Sequence, residues 1–278
     1  MQLTDIYTLR QILHEFKIFA QKKLGQHFLV DQKALDKIIE TAQLKSSDAV
    51  LEIGPGLGTL TRELSSNSKK VVAIEKDPEM IKVFKSINSD LTGVLVLQKN
   101  ALTLQTDFFQ KHHLKNYKLV ANLPYYLTSA IIRFFLENQP KPQVMVLMVQ
   151  KEVAERIVGL PPDANLLSVA VQFYGEPEIV QVVPKESFWP QPKVDSAIIK
   201  ITPHQKSPHK ISNEKGFFRI VRAGFGEKRK QLHNSLAGGL NLPSDKVKTA
   251  LKVCKIASQR RAETLTLDEW IKIYNMLS

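Results

Sequence analysis

Apolar positions follow one rhythm up to about residue 200 and another after it. In the first region short, fully apolar, β-branched runs recur: Ala49–Ile53, Val71–Glu75, Val94–Gln98, Leu119–Asn122 and Val144–Val149. Between them lie stretches with helical spacing, near 59–66, 78–88, 129–138 and 151–158. Apolar strands alternating with helices predict a parallel sheet covered on both faces. Two later runs, about 167–174 and 194–202, read as strands of an antiparallel edge. Upstream, 4–19 reads as an amphipathic helix opened by Thr4 and Asp5, Gln21–Asp31 as a loop around Gly25, and 31–43 as a helix. Thr202–Lys210 carries two prolines and reads as a linker. Beyond it the pattern is helical: about 214–237, stopped by Gly238–Gly239, then 244–253 and 266–277, with Ser244 and Thr266 as caps. The expected architecture is α/β, a mostly parallel, doubly wound Rossmann-like sheet over residues 1–203, with a small all-helical domain over 204–278.

Two features place chemistry on this frame. Gly54-Pro-Gly56-Leu-Gly58 follows the first strand of the alternating series and opens a helix. Glycines there permit a sharp turn and close approach of a ligand to the main chain. Glu75 ends the next strand, where a carboxylate can accept hydrogen bonds from both ribose hydroxyls. Together they predict a nucleoside cofactor at the carboxyl ends of these strands. A dinucleotide fingerprint would need glycine at position 59, where Thr59 stands. This favours S-adenosylmethionine over a nicotinamide dinucleotide.

The second feature is Asn122-Leu123-Pro124-Tyr125 at the end of a later strand. An exocyclic amine on an aromatic ring is a poor nucleophile because its lone pair is delocalised. The Asn122 side-chain carbonyl and the Leu123 main-chain carbonyl can hold its two N–H groups and stabilise the charge that develops on attack. Pro124 fixes the turn and Tyr125 can stack on the ring. Phe188, in the proline-stiffened run FWPQPKVDS, is expected to close the other side of the base, while Trp189 is expected in the core.

Charge adds a partner. Residues 204–278 hold 15 basic and 6 acidic residues, a net of +9 out of +12 for the chain. That asymmetry suits a polyanion such as a nucleic acid, or else a solvated basic face. Arg219, Arg222, Lys228, Arg229 and Lys230 fall in one predicted helix and, with Arg260 and Arg261, are candidates for phosphate contact. The aromatic residues Phe217, Phe218, Phe225, Trp270 and Tyr274 are expected in the helical core. With 43% hydrophobic residues the chain is too apolar for disorder. The longest apolar run, near Val144–Val149, is far too short to span a membrane. There is no signal-peptide pattern, and the single Cys254 excludes an internal disulfide and a cysteine zinc site. The histidines lack ligand spacing, so no metal is expected, and the setting is read as cytoplasmic.

KKLGQHFLVD, LEIGPGLGTLT, AIEKD, VANLPYYLTSAII, QKEVAERI and FWPQPKVDSAII, in that order, resemble the ribosomal RNA adenine N6,N6-dimethyltransferases, most of all the bacterial small-subunit (16S) type. The resemblance runs from about Gln21 to the end of the chain. It implies dimethylation of two adjacent adenines in a hairpin near the 3′ end of 16S rRNA in the 30S particle, with S-adenosylmethionine as donor, a role in subunit biogenesis, and a monomer. It also implies cofactor contacts at His27, Leu29, Gly54, Gly56, Glu75, Asn100 and Asn122. Two positions depart from the family pattern: Lys99-Asn100 stands where Gly-Asp is usual, and His27 where many relatives have Asn. Open alternatives are a 23S rRNA adenine methyltransferase conferring macrolide resistance and a 30S assembly factor whose methylation is incidental. A nicotinamide-dependent dehydrogenase is disfavoured by the missing glycine.

Overall fold

The computed structural model of the chain describes residues 2–18, 27–227 and 229–278. The described residues form the strands β1 (Phe28–Leu29), β2 (Ala49–Ile53), β3 (Lys70–Glu75), β4 (Val94–Gln98), β5 (Tyr117–Asn122), β6 (Met145–Gln150), β7 (Gly175–Val183), β8 (Phe188–Trp189) and β9 (Ser196–Pro203). The helices are α1 (Ile6–Glu15), α2 (Gln32–Ala42), α3 (Thr59–Asn67), α4 (Pro78–Ile87), α5 (Thr106–Lys111), α6 (Thr128–Glu137), α7 (Lys151–Val158), α8 (Leu166–Tyr174), α9 (Glu214–Phe225), α10 (Leu232–Leu240), α11 (Ser244–Val253) and α12 (Leu267–Leu277). Among the described residues no helix is long and apolar enough to cross a membrane.

Seven strands form one sheet in the order β4-β3-β2-β5-β6-β9-β7. Strands β2 to β6 pair in parallel, and β9 runs antiparallel to β6. From β2 the chain winds outward through β3 and β4, then returns to β5 on the other side of β2. This reversal opens a crevice at the carboxyl ends of β2 and β5, where ligands bind in doubly wound sheets. Both sheet faces are buried, as the apolar strands predict. Val50, Val71, Val120 and Val146 share a core with Leu35 and Ile38 of α2 and Leu60 and Leu64 of α3. The alternate residues Leu51, Val72, Leu119 and Leu147 are equally sealed.

The run at 167–174 is a helix rather than the expected edge strand. LLSVAVQFY is apolar all round, which a buried helix and a buried strand share. Its start decides the matter: Asn165 Oδ1 accepts from the Leu167 and Ser168 amides, and Ser168 Oγ accepts from the Asn165 amide. The edge strand is instead β7, and Pro177 within it is tolerated because the strand lies at the sheet margin.

By internal packing the chain divides into Met1–Ala154 with Pro177–Gln205, and Glu155–Glu176 with Lys206–Ser278. The cut expected at Pro203 therefore misses an excursion: Glu155–Glu176 packs with the second unit. In that unit Phe173 of α8 stacks on Phe217 of α9, ring centroids 4.8 Å apart. Phe217, Phe218, Trp270 and Tyr274 are buried, and Phe225 lies against Trp270, as core aromatics. The single helix expected over 214–237 is broken after Phe225, and Gly238–Gly239 lies inside α10 rather than ending it. The reason is packing: an added Cβ at Gly239 would stand 2.6 Å from Ala223 Cβ, so α9 and α10 meet there without side chain between them.

Gly58 caps α3 at φ +95°, and an added Cβ would lie 2.8 Å from both Phe84 and Asn88. Asn88 in turn donates to the Leu57 carbonyl at 2.9 Å, so it cannot retreat freely. Gly58→Ala is expected to cost about 2–4 kcal/mol through left-handed strain and overpacking. Urea denaturation checks this, and a loss below about 0.5 kcal/mol would refute it.

Candidate active site

A cavity of about 390 Å³ opens at the crevice, within the usual range for a small-molecule site. Four sequence-predicted residues reach it because each stands at or just beyond the carboxyl end of a parallel strand. They are Gly54 after β2, Glu75 at the end of β3, Asn100 after β4 and Asn122 at the end of β5. His27, Leu29, Gly56, Leu123, Pro124 and Tyr125 also line it.

Gly54 has φ +70° and donates its amide to Ile74 O at 2.9 Å, and an added Cβ would touch Pro124 at 3.7 Å. The glycine turn and the Asn-Leu-Pro-Tyr turn thus face each other directly. Glu75 Oε1 accepts from the Lys76 and Asp77 amides at 2.7 and 2.9 Å. This pins one carboxylate oxygen and leaves the other for a ligand. Burial raises the Glu75 carboxyl above its ordinary range, and the two amides hold it back. Asn100 Oδ1 accepts from the Leu102 amide at 3.0 Å, so its oxygen helps cap a short turn.

Asn122 donates Nδ2–H to the His27 carbonyl at 3.3 Å, which leaves Oδ1 as an acceptor. Leu123 is buried, its amide donating to Met148 O at 3.2 Å. Tyr125 is half-buried, with its hydroxyl 2.9 Å from Ser196 Oγ. Burial raises its phenol and the Ser196 hydrogen bond partly offsets this. The hydroxyl therefore stays protonated near neutrality, leaving an uncharged ring face to offer a base.

Phe188 is not where the sequence reading puts it. It is 3% exposed in the core shared with Leu29 and Met148, and it does not line the cavity. The cause is strand alternation. β8 pairs antiparallel with β1, Leu29 opposite Phe188 and Phe28 opposite Trp189, so adjacent aromatics point to opposite faces. Trp189, expected in the core, is the half-buried one, packed near Phe28, Leu57 and Met80. The ring on Tyr125 belongs instead to His27, with centroids 5.5 Å apart and planes at 24°.

Glu52 also belongs to the cavity, although it is not among the residues expected from the sequence. Its side chain is buried at the cavity wall, Oε2 accepting from Thr61 Oγ1 at 2.7 Å. Burial pushes its pKa up to about 8, aided by the nearby Glu75 charge and opposed by Thr61. The signal was present: a lone carboxylate inside the apolar strand AVLEI, two residues before the glycine turn.

Of the basic candidates, Arg219, Arg222, Arg229 and Lys230 are exposed, and Lys230 pairs with Glu227 at 2.7 Å. Lys228 lies outside the described residues, as does most of the 21–31 loop. Arg260 is not free for phosphate: its guanidinium binds both carboxylate oxygens of Glu269 and both oxygens of Thr264.

A doubly wound sheet with a glycine turn, an acidic strand end and an Asn-Leu-Pro-Tyr turn around one crevice defines a Rossmann-like methyltransferase. Residues 18–278 match the family model described as ribosomal RNA adenine dimethylase, and the chain belongs to that family. It is 42% identical over 264 residues to the "Ribosomal RNA small subunit methyltransferase A" of Dehalococcoides mccartyi strain BAV1, covering 95% of this chain and 90% of that protein. It is 40% identical to the protein of the same name from Clostridioides difficile strain 630, covering 100% and 97%. Among solved structures, a dimethyladenosine transferase from Plasmodium falciparum superposes with a TM-score of 0.72 at 29% identity, covering 89% of this chain and 96% of that one.

Proposed function

We propose that this chain transfers methyl groups from S-adenosylmethionine to the N6 amines of two adjacent adenines near the 3′ end of 16S rRNA in the 30S particle, giving N6,N6-dimethyladenosine. The observation that carries the reading is the juxtaposition of the two turns: Asn122, Leu123 and Tyr125 stand on the same cavity as Glu75 and Gly54. The cavity suits the cofactor. Glu75 has one oxygen free for a ribose hydroxyl, and Gly54 and Gly56, at φ +70° and +55°, allow close approach to the main chain.

Bound there, S-adenosylmethionine supplies an electrophilic methyl group. The remaining work falls to the protein. Tyr125 stacks on the adenine and holds its plane. Asn122 Oδ1 and the Leu123 carbonyl accept the two N6 hydrogens, drawing the nitrogen toward a pyramidal, nucleophilic form. As positive charge develops on N6, both acceptors stabilise it. The methylated nitrogen is then acidic and releases its proton without a buried base.

Asn100 sets the cofactor affinity. With Oδ1 engaged on Leu102, an Asn presents its amide donors to the ring amine of adenine, whereas an Asp would present a second carboxylate oxygen. Asn100→Asp is expected to lower KM for S-adenosylmethionine about 3–10-fold, the worth of a charge-assisted hydrogen bond. An unchanged or raised KM would remove Asn100 from the adenine site.

The exposed arginines of the second unit support RNA binding. Reversing Arg222 and Arg229 together is expected to weaken rRNA affinity and to reduce the slope of log K against log[salt] by about 2. An unchanged slope would leave these residues as a solvated face.

The deciding experiment is methyl transfer from labelled S-adenosylmethionine to unmethylated 30S subunits, followed by nucleoside analysis. N6,N6-dimethyladenosine in 16S rRNA supports the reading. Label only in naked 23S rRNA would favour the resistance-type activity, which the likeness to the 23S rRNA methyltransferase ErmE keeps in view: TM-score 0.72, 28% identity, covering 90% of this chain and 99% of that one. No transfer to either would leave an assembly factor.

A further inference from the structure

One face of the Tyr125 ring is already covered. The His27 imidazole lies over it at a centroid distance of 5.5 Å with planes 24° apart, a direct stack with no space for a third ring. The imidazole is pinned. Its Nδ1 is 2.6 Å from the Pro190 carbonyl, which can only accept, so Nδ1 carries the hydrogen and donates it. The main chain at this residue is held separately. The His27 carbonyl accepts from Asn122 Nδ2, and the next two residues pair with Trp189 and Phe188. Rotation about the side-chain bonds therefore removes the ring from Tyr125 while the His27 carbonyl keeps its grip on the Asn122 amide.

We propose that the His27 imidazole gates the target-base site: it occupies the Tyr125 face until an incoming base displaces it. The proposal rests on the reading of Tyr125 as the base platform. A base entering the site breaks the imidazole stack and the Pro190 hydrogen bond, then takes the vacated face. The main-chain contact to Asn122 survives this exchange, so the amine-binding acceptor is already oriented when the base arrives. His27 thereby contributes twice, with its ring as a removable cover and with its carbonyl as a fixed guide. Only the ring depends on the residue type.

The test uses the full-length enzyme and unmethylated 30S subunits, with KM for each substrate and kcat measured for His27→Asn, His27→Phe and Tyr125→Ala. His27→Asn keeps the main chain and a polar side chain and removes the ring. It is expected to lower KM for 30S about 3–10-fold, and KM for S-adenosylmethionine is measured beside it because His27 also lines the cofactor cavity. His27→Phe keeps a ring on Tyr125, and its KM for 30S is expected to stay at or above the wild-type value. An unchanged or raised KM for 30S in His27→Asn overturns the gate, as does a rise in KM for both substrates, which would assign His27 to the cofactor. Tyr125→Ala separates the two claims: if it leaves KM for 30S and kcat unchanged, the platform reading itself falls. The stack is also read without substrate. The His27 Hε1 resonance is expected upfield in wild type and shifted downfield in Tyr125→Ala, and equal positions in both proteins would overturn the proposal.

Discussion

Asn122→Ala is expected to lower kcat for methyl transfer by about 10²–10³-fold with little change in KM for 30S, as when one preorganised transition-state partner is removed. The amide is held by the His27 carbonyl through Nδ2, so Oδ1 is the end left to accept a hydrogen from the target amine. The ground-state amine needs this acceptor weakly, and the cationic nitrogen needs it strongly. The loss therefore falls on the chemical step. Asn122→Asp sharpens the test, because a carboxylate accepts hydrogen bonds but cannot donate to His27 O and would lie close to that carbonyl. It should also lose most activity, although the acceptor remains. If Asn122→Ala kept more than about a tenth of kcat, the acceptor role would be wrong. If only KM rose, Asn122 would be a binding residue.

Glu52→Gln carries the second large effect, on stability rather than on rate. Glu52 is buried with a pKa near 8, whereas an unfolded glutamate titrates near 4.5. Between those values the folded chain holds a proton that the unfolded chain has lost. This group's contribution is thus full below about pH 4.5 and is lost as pH rises through about 8, the reverse of a salt-bridged carboxylate. The total is on the order of 5 kcal/mol. Glutamine keeps an oxygen for the Thr61 hydroxyl and carries no titrating proton. Urea denaturation without cofactor should show wild type losing stability between pH 5 and 9 relative to Glu52→Gln, with the variant several kcal/mol more stable at pH 9. Parallel curves would mean that Glu52 is ionised and satisfied in the fold.

Much of this site is visible in the chain because it is written as contiguous turns. The glycine turn, Glu75 and Asn122-Leu123-Pro124-Tyr125 each sit where a strand ends, and strand ends can be read from apolar runs. Once the sheet is known to be doubly wound, those ends must converge. Two of the expected caps were legible for the same local reason: Asp5 and Thr266 each accept an amide hydrogen from the first turn they introduce, whereas Ser244, expected as a cap, is the first residue of α11, which Pro243 precedes without a side-chain bond. The errors share a cause too. At 167–174 composition alone could not separate a buried helix from a buried strand, and the cap at Asn165 was the available signal. At Arg260 the sequence showed a cation and could not show Glu269 beside it.

The sequence by itself determined the alternation of strands and helices, the order in which the strand-end turns emerge, and the donors and acceptors each turn can offer. These are local properties, set by side-chain period, backbone preference and donor–acceptor inventory. Tertiary structure alone decided which of two adjacent aromatics faces the core, because one step along β8 reverses the side chain and the register is set by β1, more than 150 residues away. It likewise decided that His27 rather than Phe188 covers Tyr125, that Glu52 is buried at the cavity wall, and that Glu155–Glu176 packs with the second unit. Each depends on neighbours distant in sequence, whose packing, burial and desolvation no local pattern encodes.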